Sequence, residues 1–352
     1  MDYSRYTHDA VDLLQRLIAT PSVSRDEQSA ADIMEQTLRG YGFCVRREGN
    51  NVWALSPDFS DDRATVLLNA HIDTVKPVAS WTRDPFVPEI VDGRLYGLGS
   101  NDCGGGLVAL LQTFRYFCSQ DEPCRYNLVY LASCEEEVSG ADGIERVLPL
   151  LPRINVAIVG EPTGMNPAIA EKGLMVLDIT ARGKSGHAAR EEGVNAIYAI
   201  MDDLRWLRDY RFDKVSPLLG PTLMQVTQIN AGTQHNVVPD MCSAVVDVRT
   251  NEYYTNEQVL ELVHRHLSSE VKARSLRLHS SSISEEHPLV KRCIALGGVP
   301  FGSPTLSDQA LMPFPSFKLG PGESSRSHTA DEFIYLSEIE KAIEFYIRLL
   351  AC

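Results

Sequence analysis

The chain has 352 residues, 44% of them hydrophobic and 23% charged, which is the composition of a folded globular protein and a length that suits two domains. Lysine and arginine number 33 against 47 aspartates and glutamates, a formal charge of −14, and the lack of any basic cluster excludes a nucleic-acid binder that works by neutralising phosphates. The longest apolar runs, 65–70 and 107–111, fall far short of the ~20 residues that span a bilayer, and the acidic, amphipathic N-terminal stretch lacks a signal-peptide core, so a soluble, cytoplasmic protein with no membrane partner is expected.

Val11, Leu14, Leu17 and Ile18 follow helical spacing over 9–19 and stop at Pro21; a second helix is predicted over 27–39, ending at Gly40. Short apolar strands follow at 43–45, 51–55 and 65–70, then a helix over 105–117, a strand over 127–133, a helix over 143–148 and a strand over 155–160. Unbroken apolar runs alternating with helices imply a parallel-rich sheet covered on both faces. Beyond Lys172 the texture changes. Alternating strands at 174–183, 222–232 and 242–250, helices at 193–208 and 256–268, and a strand at 275–279 give the β-α-β-β-α-β order of a ferredoxin-like sandwich. Helix and strand texture returns with 287–296, 316–320 and 336–350. The fold class expected is therefore α/β: a domain formed by 1–172 and 282–352, interrupted by a smaller α+β domain over 173–281.

Cys44, Cys103, Cys118, Cys124, Cys134, Cys242, Cys293 and Cys352 show no CxxC spacing, so they read as reduced thiols and not as a disulfide framework or a thiolate zinc site. Other ligand types are placed more tellingly. His71 and Asp73 follow the strand at 65–70, Glu135, Glu136 and Glu137 follow 127–133, Glu161 follows 155–160, His328 comes after 316–320, and Asp102 stands just ahead of a helix. Each has an ordinary reading alone: a surface histidine, a solvated acidic run, a helix cap, a turn. Four of these five clusters fall just past the carboxyl end of a predicted strand, the edge of an open α/β sheet where ligands bind. Two histidines with several carboxylates and no cysteine suit two divalent metals of zinc, cobalt or manganese type.

The motifs HIDTV, GSNDCGGG, EEEVSGADG, GEPT, GKSGHAA and GPG…SHTADE, in this order along the chain, resemble the zinc aminoacylase/carboxypeptidase family, which includes acetylornithine deacetylase and succinyl-diaminopimelate desuccinylase. The resemblance implies a two-zinc catalytic domain with an inserted lid and dimerisation domain, and a homodimer. It implies that Asp102 bridges both metals, that His71 and Glu161 complete one, and that Glu137 and His328 complete the other. Asp73 would hydrogen-bond the His71 ring, and Glu136 would be the general base, although aligning the acidic run one position earlier would give that role to Glu135. His187, in the inserted domain, is nominated to stabilise the oxyanion from a partner subunit. Arg249 is nominated to clamp a substrate carboxylate, Asn236 to contact substrate from the lid, and Gly322, in the Gly320–Gly322 turn, to offer a backbone N–H. The family commonly carries an arginine and a lysine where this chain has Leu98 and Gly104.

The expected activity is metal-dependent hydrolysis of an N-acyl amino acid, with Zn2+ most suited and Co2+ able to substitute. N-acetyl-L-ornithine or N-succinyl-L-ornithine is the leading substrate, which would belong to arginine biosynthesis. Succinyl-diaminopimelate and di- or tripeptides are the alternatives. A non-catalytic binding relative would be expected to have lost the base or a bridging ligand.

Overall fold

The computed structural model describes residues 3–122, 124–190 and 192–351; Cys352 lies outside them, and the other seven cysteines are free thiols. The chain divides into two compact units. One runs up to Ile169 and resumes over Ser282–Phe301 and from Ser307 onward, and the other is Ala170–Ser281 with Gly302–Leu306.

In the first unit, strands Val45–Glu48, Asn51–Leu55, Asn127–Ser133, Thr65–His71, Val156–Val159 and Ser316–Lys318 lie side by side in that order. The last four are mutually parallel. Every residue of Thr65–His71, Asn127–Ser133 and Val156–Val159 is buried, because both sheet faces are covered, and this is why these stretches read as unbroken apolar runs. Val66, Leu68, Leu128, Tyr130 and Ile158 face a core shared with Leu14, Leu110, Phe114 and Ile343 of the helices Ser4–Ile18, Gly105–Cys118 and Leu336–Leu350. Leu67, Val129, Leu131 and Ala157 point the other way, into a smaller core with Trp53, Ile144 and Val147.

The second unit has an antiparallel sheet in the order Leu223–Ala231, Met241–Arg249, Met175–Arg182, Glu270–Ala273. With helices Ala196–Asp209 and Asn256–His266 it forms the ferredoxin-like sandwich. Buried and half-buried residues alternate along Met175–Arg182, as one-sided coverage requires. Asn195 caps the first helix through the Ile197 N–H, and Thr255 and Gln258 form a capping box on the second.

Three expectations shift. The strand placed at 43–45 begins instead at Val45, in a hairpin that pairs Glu48 with Asn51, while Phe43 turns inward against Phe114 with ring centroids 4.9 Å apart. The strand placed at 275–279 is found at Glu270–Ala273; the later stretch supplies the Leu276 and Leu278 carbonyls to the buried Asn256 amide, both at 2.9 Å. The helix at 143–148 shortens to Ile144–Val147 and tightens into a 3-10 turn over Leu148–Leu150. A three-stranded sheet of Glu89–Val91, Arg94–Tyr96 and Phe333–Tyr335 was too short-stranded to be visible in the sequence pattern. No helix among the described residues is long and apolar enough to cross a membrane.

The helix Gly105–Cys118 starts so close to the sheet that a Cβ on Gly106 would collide with the Gly160 carbonyl, one residue before Glu161, whereas a Cβ on Gly40 would meet nothing within 4 Å. Gly106→Ala should therefore destabilise the chain by about 2 kcal/mol or more, overriding the ~1 kcal/mol that alanine gains in a helix. Gly40→Ala should be neutral or slightly stabilising. Urea midpoints of the two variants check the contrast, and equal midpoints would contradict the close approach.

Candidate metal centre

Parallel pairing sets Asn69 beside Val159 and His71 beside Ser133. His71, the Glu135–Glu137 turn and Glu161 therefore leave the sheet at one edge. The strand Ser316–Lys318 runs parallel to Val156–Val159 and delivers the loop bearing His328 to the same edge. Asp102 comes from a kinked segment, Ser100–Gly104, directly ahead of the helix Gly105–Cys118, and its peptide bond to Cys103 is cis.

These side chains converge. His71 Nε2 stands 3.3 Å from Asp102 Oδ1, 3.6 Å from Glu161 Oε1 and 4.0 Å from Glu136 Oε2. His328 Nε2 stands 3.6 Å from Asp102 Oδ2 and 3.0 Å from Glu137 Oε2. Asp102 thus lies between the imidazoles with a different oxygen toward each. Donor atoms of His71, Glu136 and Glu137, and separately of Asp102, Glu137 and His328, fall within 4.8 Å of one another, close enough to share an ion. Cys103 Sγ joins His71 and Glu161 in a third such group, but burial pushes its thiol far up, and it accepts the His71 backbone N–H at 3.2 Å.

The electrostatics are those of a cage short of positive charge. Burial and the neighbouring Glu161 drive the Glu136 carboxyl well above its ordinary range. Burial and Asp102 lift Glu161 to about 8, against the pull of His71 and the buried Lys318. Hydrogen bonding to Glu137 raises His328 to about 9. Burial opposes charge on His71, yet Cys103, Asp102 and Glu136 lift it well above the usual value. Glu161 Oε1 is buried with no hydrogen-bond partner among the described residues. An imidazole and oxygen donor set with an orphaned carboxylate oxygen fits divalent cations.

The loops that carry these groups are themselves held by buried carboxylates. The His71 ring bonds the backbone carbonyl of Asp73, Nδ1 to O at 2.8 Å, and the Asp73 carboxylate stands farther off at 3.7 Å. Asp73 therefore meets the His71 ring through its carbonyl and not its carboxylate, because the chain turns after His71 so that the carbonyl reaches the ring first. The Asp73 carboxylate instead accepts the backbone N–H groups of Glu136 and Glu137 at 3.1 and 3.2 Å and the Ser24 hydroxyl at 2.7 Å. Glu27, fully buried, accepts the Glu135 N–H at 3.3 Å. Glu332 accepts three N–H groups around Asp102. Asp308, raised to about 6 by burial, takes the Ser133 hydroxyl at 2.7 Å. Sequence reading missed Glu27, Asp308 and Glu332; the only available signal was the place of Glu332 inside the SHTADE motif.

Glu135 turns away from this cluster: its φ is +57° and its carboxylate packs where a Cβ on Gly140 would sit. Gly322, at φ +83°, makes room for the Asn101 amide, which a Cβ there would strike. The Gly320 N–H is taken by the Thr163 hydroxyl at 3.1 Å. Leu98 and Gly104 line a small cavity of about 20 Å³ with Leu14, Leu17 and Ile18. In the second unit, His187 pairs with Val237 across a two-stranded ladder, and the Asn236 carbonyl accepts the Ala188 N–H beside it, so His187 and Asn236 are neighbours. Arg249 is held by Asp247 through two bonds of 2.8 and 3.1 Å.

Imidazoles and carboxylates gathered at the carboxyl edge of an α/β sheet, beside a carboxyl group able to carry a proton, form the site of a metal-dependent hydrolase of amide bonds. Residues 67–351 match peptidase family M20/M25/M40, and the chain belongs to that family. It is 30% identical to a succinyl-diaminopimelate desuccinylase of Cereibacter sphaeroides, covering 97% of this chain and 98% of the relative. It is 29% identical to an acetylornithine deacetylase of Proteus mirabilis, covering 97% and 95%. The fold is shared with a dinuclear metal-binding peptidase of the M20 family from Bacillus subtilis, with a TM-score of 0.76, 17% identity and 98% of each chain covered.

The Asp73 clamp makes a prediction that needs no metal. Asp73→Asn replaces one acceptor oxygen by a donor, leaving a buried N–H of Glu136 or Glu137 without its partner at a cost of about 1–3 kcal/mol. Hydrogen exchange at those amides should quicken by roughly tenfold or more, while exchange in the second unit stays unchanged. Unaltered protection at Glu136 and Glu137 would contradict the clamp.

Proposed function

We propose that the chain is a two-metal deacylase that removes the acyl group from an N-acyl amino acid, with N-acetyl-L-ornithine or N-succinyl-L-ornithine as the leading substrate and arginine biosynthesis in the cytoplasm as its setting. The observation that carries the reading is the Asp102 carboxylate, whose separate oxygens face His71 and His328. Asp102 would bridge two cations, His71 and Glu161 completing one set of ligands, Glu137 and His328 the other. Zn2+ suits this nitrogen and oxygen donor set, and Co2+ is able to take its place. The deacetylase of Proteus mirabilis supports the ornithine derivatives. The desuccinylase of Cereibacter sphaeroides supports N-succinyl-diaminopimelate as a second reading.

When bound, the cations would lower the pKa of water from about 15.7 toward roughly 7 and polarise the amide carbonyl. Glu136 takes a proton from the attacking water and later delivers it to the departing amine nitrogen. Its carboxylate stands 4.0 Å from His71 Nε2 inside the cluster, whereas that of Glu135 packs against Gly140, which supports this role over Glu135. Asp73 holds the Glu136 backbone so that the carboxyl reaches a fixed point. His187 accepts the Ala189 N–H at Nδ1; in that arrangement Nε2 carries the proton and is free to donate to the oxyanion. Arg249 would bind a substrate carboxylate once that group replaces Asp247, while Asn236 and the Gly322 turn would contact the rest of the substrate.

The second unit would serve as lid and dimerisation domain. Its edge strand Leu223–Ala231 exposes Leu223, Val226 and Ile229, and the helix Ala196–Asp209 exposes Ile197, Tyr198 and Met201. Apolar groups beside an unpaired strand edge support a second copy as partner, and that copy would contribute His187.

Amine release from N-acetyl-L-ornithine, N-succinyl-L-ornithine, N-succinyl-diaminopimelate and a tripeptide, with Zn2+ or Co2+ and again after chelation, tests the proposal. Turnover of one ornithine derivative that chelation abolishes is expected; turnover of the diaminopimelate derivative alone moves the substrate, and a chain that binds no metal sinks the reading. Glu136→Gln should lower kcat by about 10²–10⁴-fold while still binding two cations. Mixed dimers of inactive His187→Ala and Glu136→Gln chains should recover activity by forming one intact site. No recovery in dimers shown to exchange would place the His187 action elsewhere.

A further inference from the structure

Glu332 sits four residues past His328 and is almost wholly buried. Its Oε1 accepts the backbone N–H groups of Asn101 at 2.8 Å and Asp102 at 2.9 Å, and its Oε2 accepts that of Gly99 at 3.2 Å. The Gly97 N–H bonds the Glu332 carbonyl at 3.0 Å. A second strap joins the same two loops: the Asn101 amide donates to the Glu323 carbonyl and accepts the Glu323 N–H, both at 3.0 Å. The segment that carries Asp102 is not a regular helix, since Asp102 and Cys103 have non-helical backbone angles. The N–H groups of Ser100 and Gly104 bond the Gly97 and Gly99 carbonyls, whereas those of Asn101 and Asp102 take the buried Glu332 carboxyl in place of a helical acceptor.

We infer that Glu332 is a positioning residue that fixes the distance between Asp102 and His328, so that the two faces of the metal cage are set before any cation enters. The inference deepens the two-metal reading and rests on it. Asp102 Oδ2 and His328 Nε2 are 3.6 Å apart, and Glu332 is the carboxylate that ties the backbone of the one to the loop of the other. Groups that orient metal ligands in this way typically change metal affinity or activity by about 10–100-fold when replaced.

Glu332→Gln keeps the shape but turns one acceptor into a donor facing a backbone N–H. Glu332→Asp keeps the carboxyl group but withdraws it by one carbon. The full chain, stripped by chelation, would be titrated with Co2+ by calorimetry and visible absorption, with kcat and KM measured on the substrate that the wild type turns over. The expected result for Glu332→Gln is a folded protein whose more weakly bound Co2+ loses about 10–100-fold in affinity, with a shifted Co2+ spectrum and a lower kcat at little-changed KM, and with Glu332→Asp falling between it and wild type. A folded Glu332→Gln with wild-type affinity and spectrum would overturn the inference. So would loss of the fold in both variants, because Glu332 would then support the unit as a whole. Wild-type protein that takes up no Co2+ would instead overturn the two-metal reading itself.

Discussion

Concentrated negative charge in a buried place is the constraint on which this structure turns. Asp102, Glu136, Glu137 and Glu161 surround two histidines at separations of 3.0 to 4.0 Å. Carboxylate oxygens of Glu136 and Glu137, and of Asp102 and Glu137, lie within 4.8 Å of each other, a distance at which two like charges would repel by about 3 kcal/mol or more at the effective dielectric of a protein. The chain does not dilute that repulsion. It adds Glu27, Asp73 and Glu332, three further buried carboxylates, and gives them the task of gripping the backbone of the loops that carry the first four. The opposing charge from the protein is modest: Lys318 is buried and pulls on Glu161, and the imidazoles supply the rest. Raised carboxyl pKa values and an orphaned Glu161 oxygen are two expressions of the same deficit, which divalent cations are suited to fill.

The strands answer the question of how such groups can be brought together at all. A parallel sheet places the carboxyl ends of its strands along one edge, so that residues distant in sequence leave it side by side. The edge is rigid because both faces are packed, with Leu68, Tyr130 and Ile158 on one side and Leu67, Val129 and Ala157 on the other. The glycines ahead of Leu107 allow the helix after Asp102 to approach to backbone contact at Gly160. Gly104 lies in this tight zone, where a Cβ would strike the Gly99 carbonyl and Leu14, so a long side chain has no space there. That is a physical setting for the departure from the family pattern at Gly104.

Much of the fold was legible in the sequence because burial writes itself into residue pattern. Two-sided burial made 65–70 and 127–133 unbroken apolar runs, and one-sided burial made 174–183 alternate. The short polar motifs after those runs marked the residues that the fold gathers at one edge. What escaped depends on tertiary context. Glu27 stands immediately ahead of a helix and looks like an ordinary N-terminal acid; only the packing around it shows that it is buried and holds the Glu135 N–H. Asp308 lies between Ser307 and Gln309 in a stretch with no periodicity, and Ser133, its partner, is 175 residues away. Asp73 does meet the His71 ring, but a spacing of two residues says nothing about which of its oxygens the turn presents there, nor that its carboxylate is spent on the Glu136 and Glu137 N–H groups. The strand at 270–273 lost to a neighbouring stretch with a stronger apolar pattern, whose carbonyls are needed by Asn256.

The discontinuous first unit has a consequence for the order in which the molecule is made. His71, Asp102, Glu136, Glu137 and Glu161 all precede the second unit in the chain, whereas His328 and Glu332 follow it. A chain growing from the ribosome therefore emerges with an acidic half-basin and must hold it while the whole second unit is synthesised and folds. Until the closing segment arrives, the Asp102 loop lacks the Glu332 carboxyl that grips it. Completion of the cluster is thus tied to completion of the fold, since the His328 loop is the last part of it to leave the ribosome.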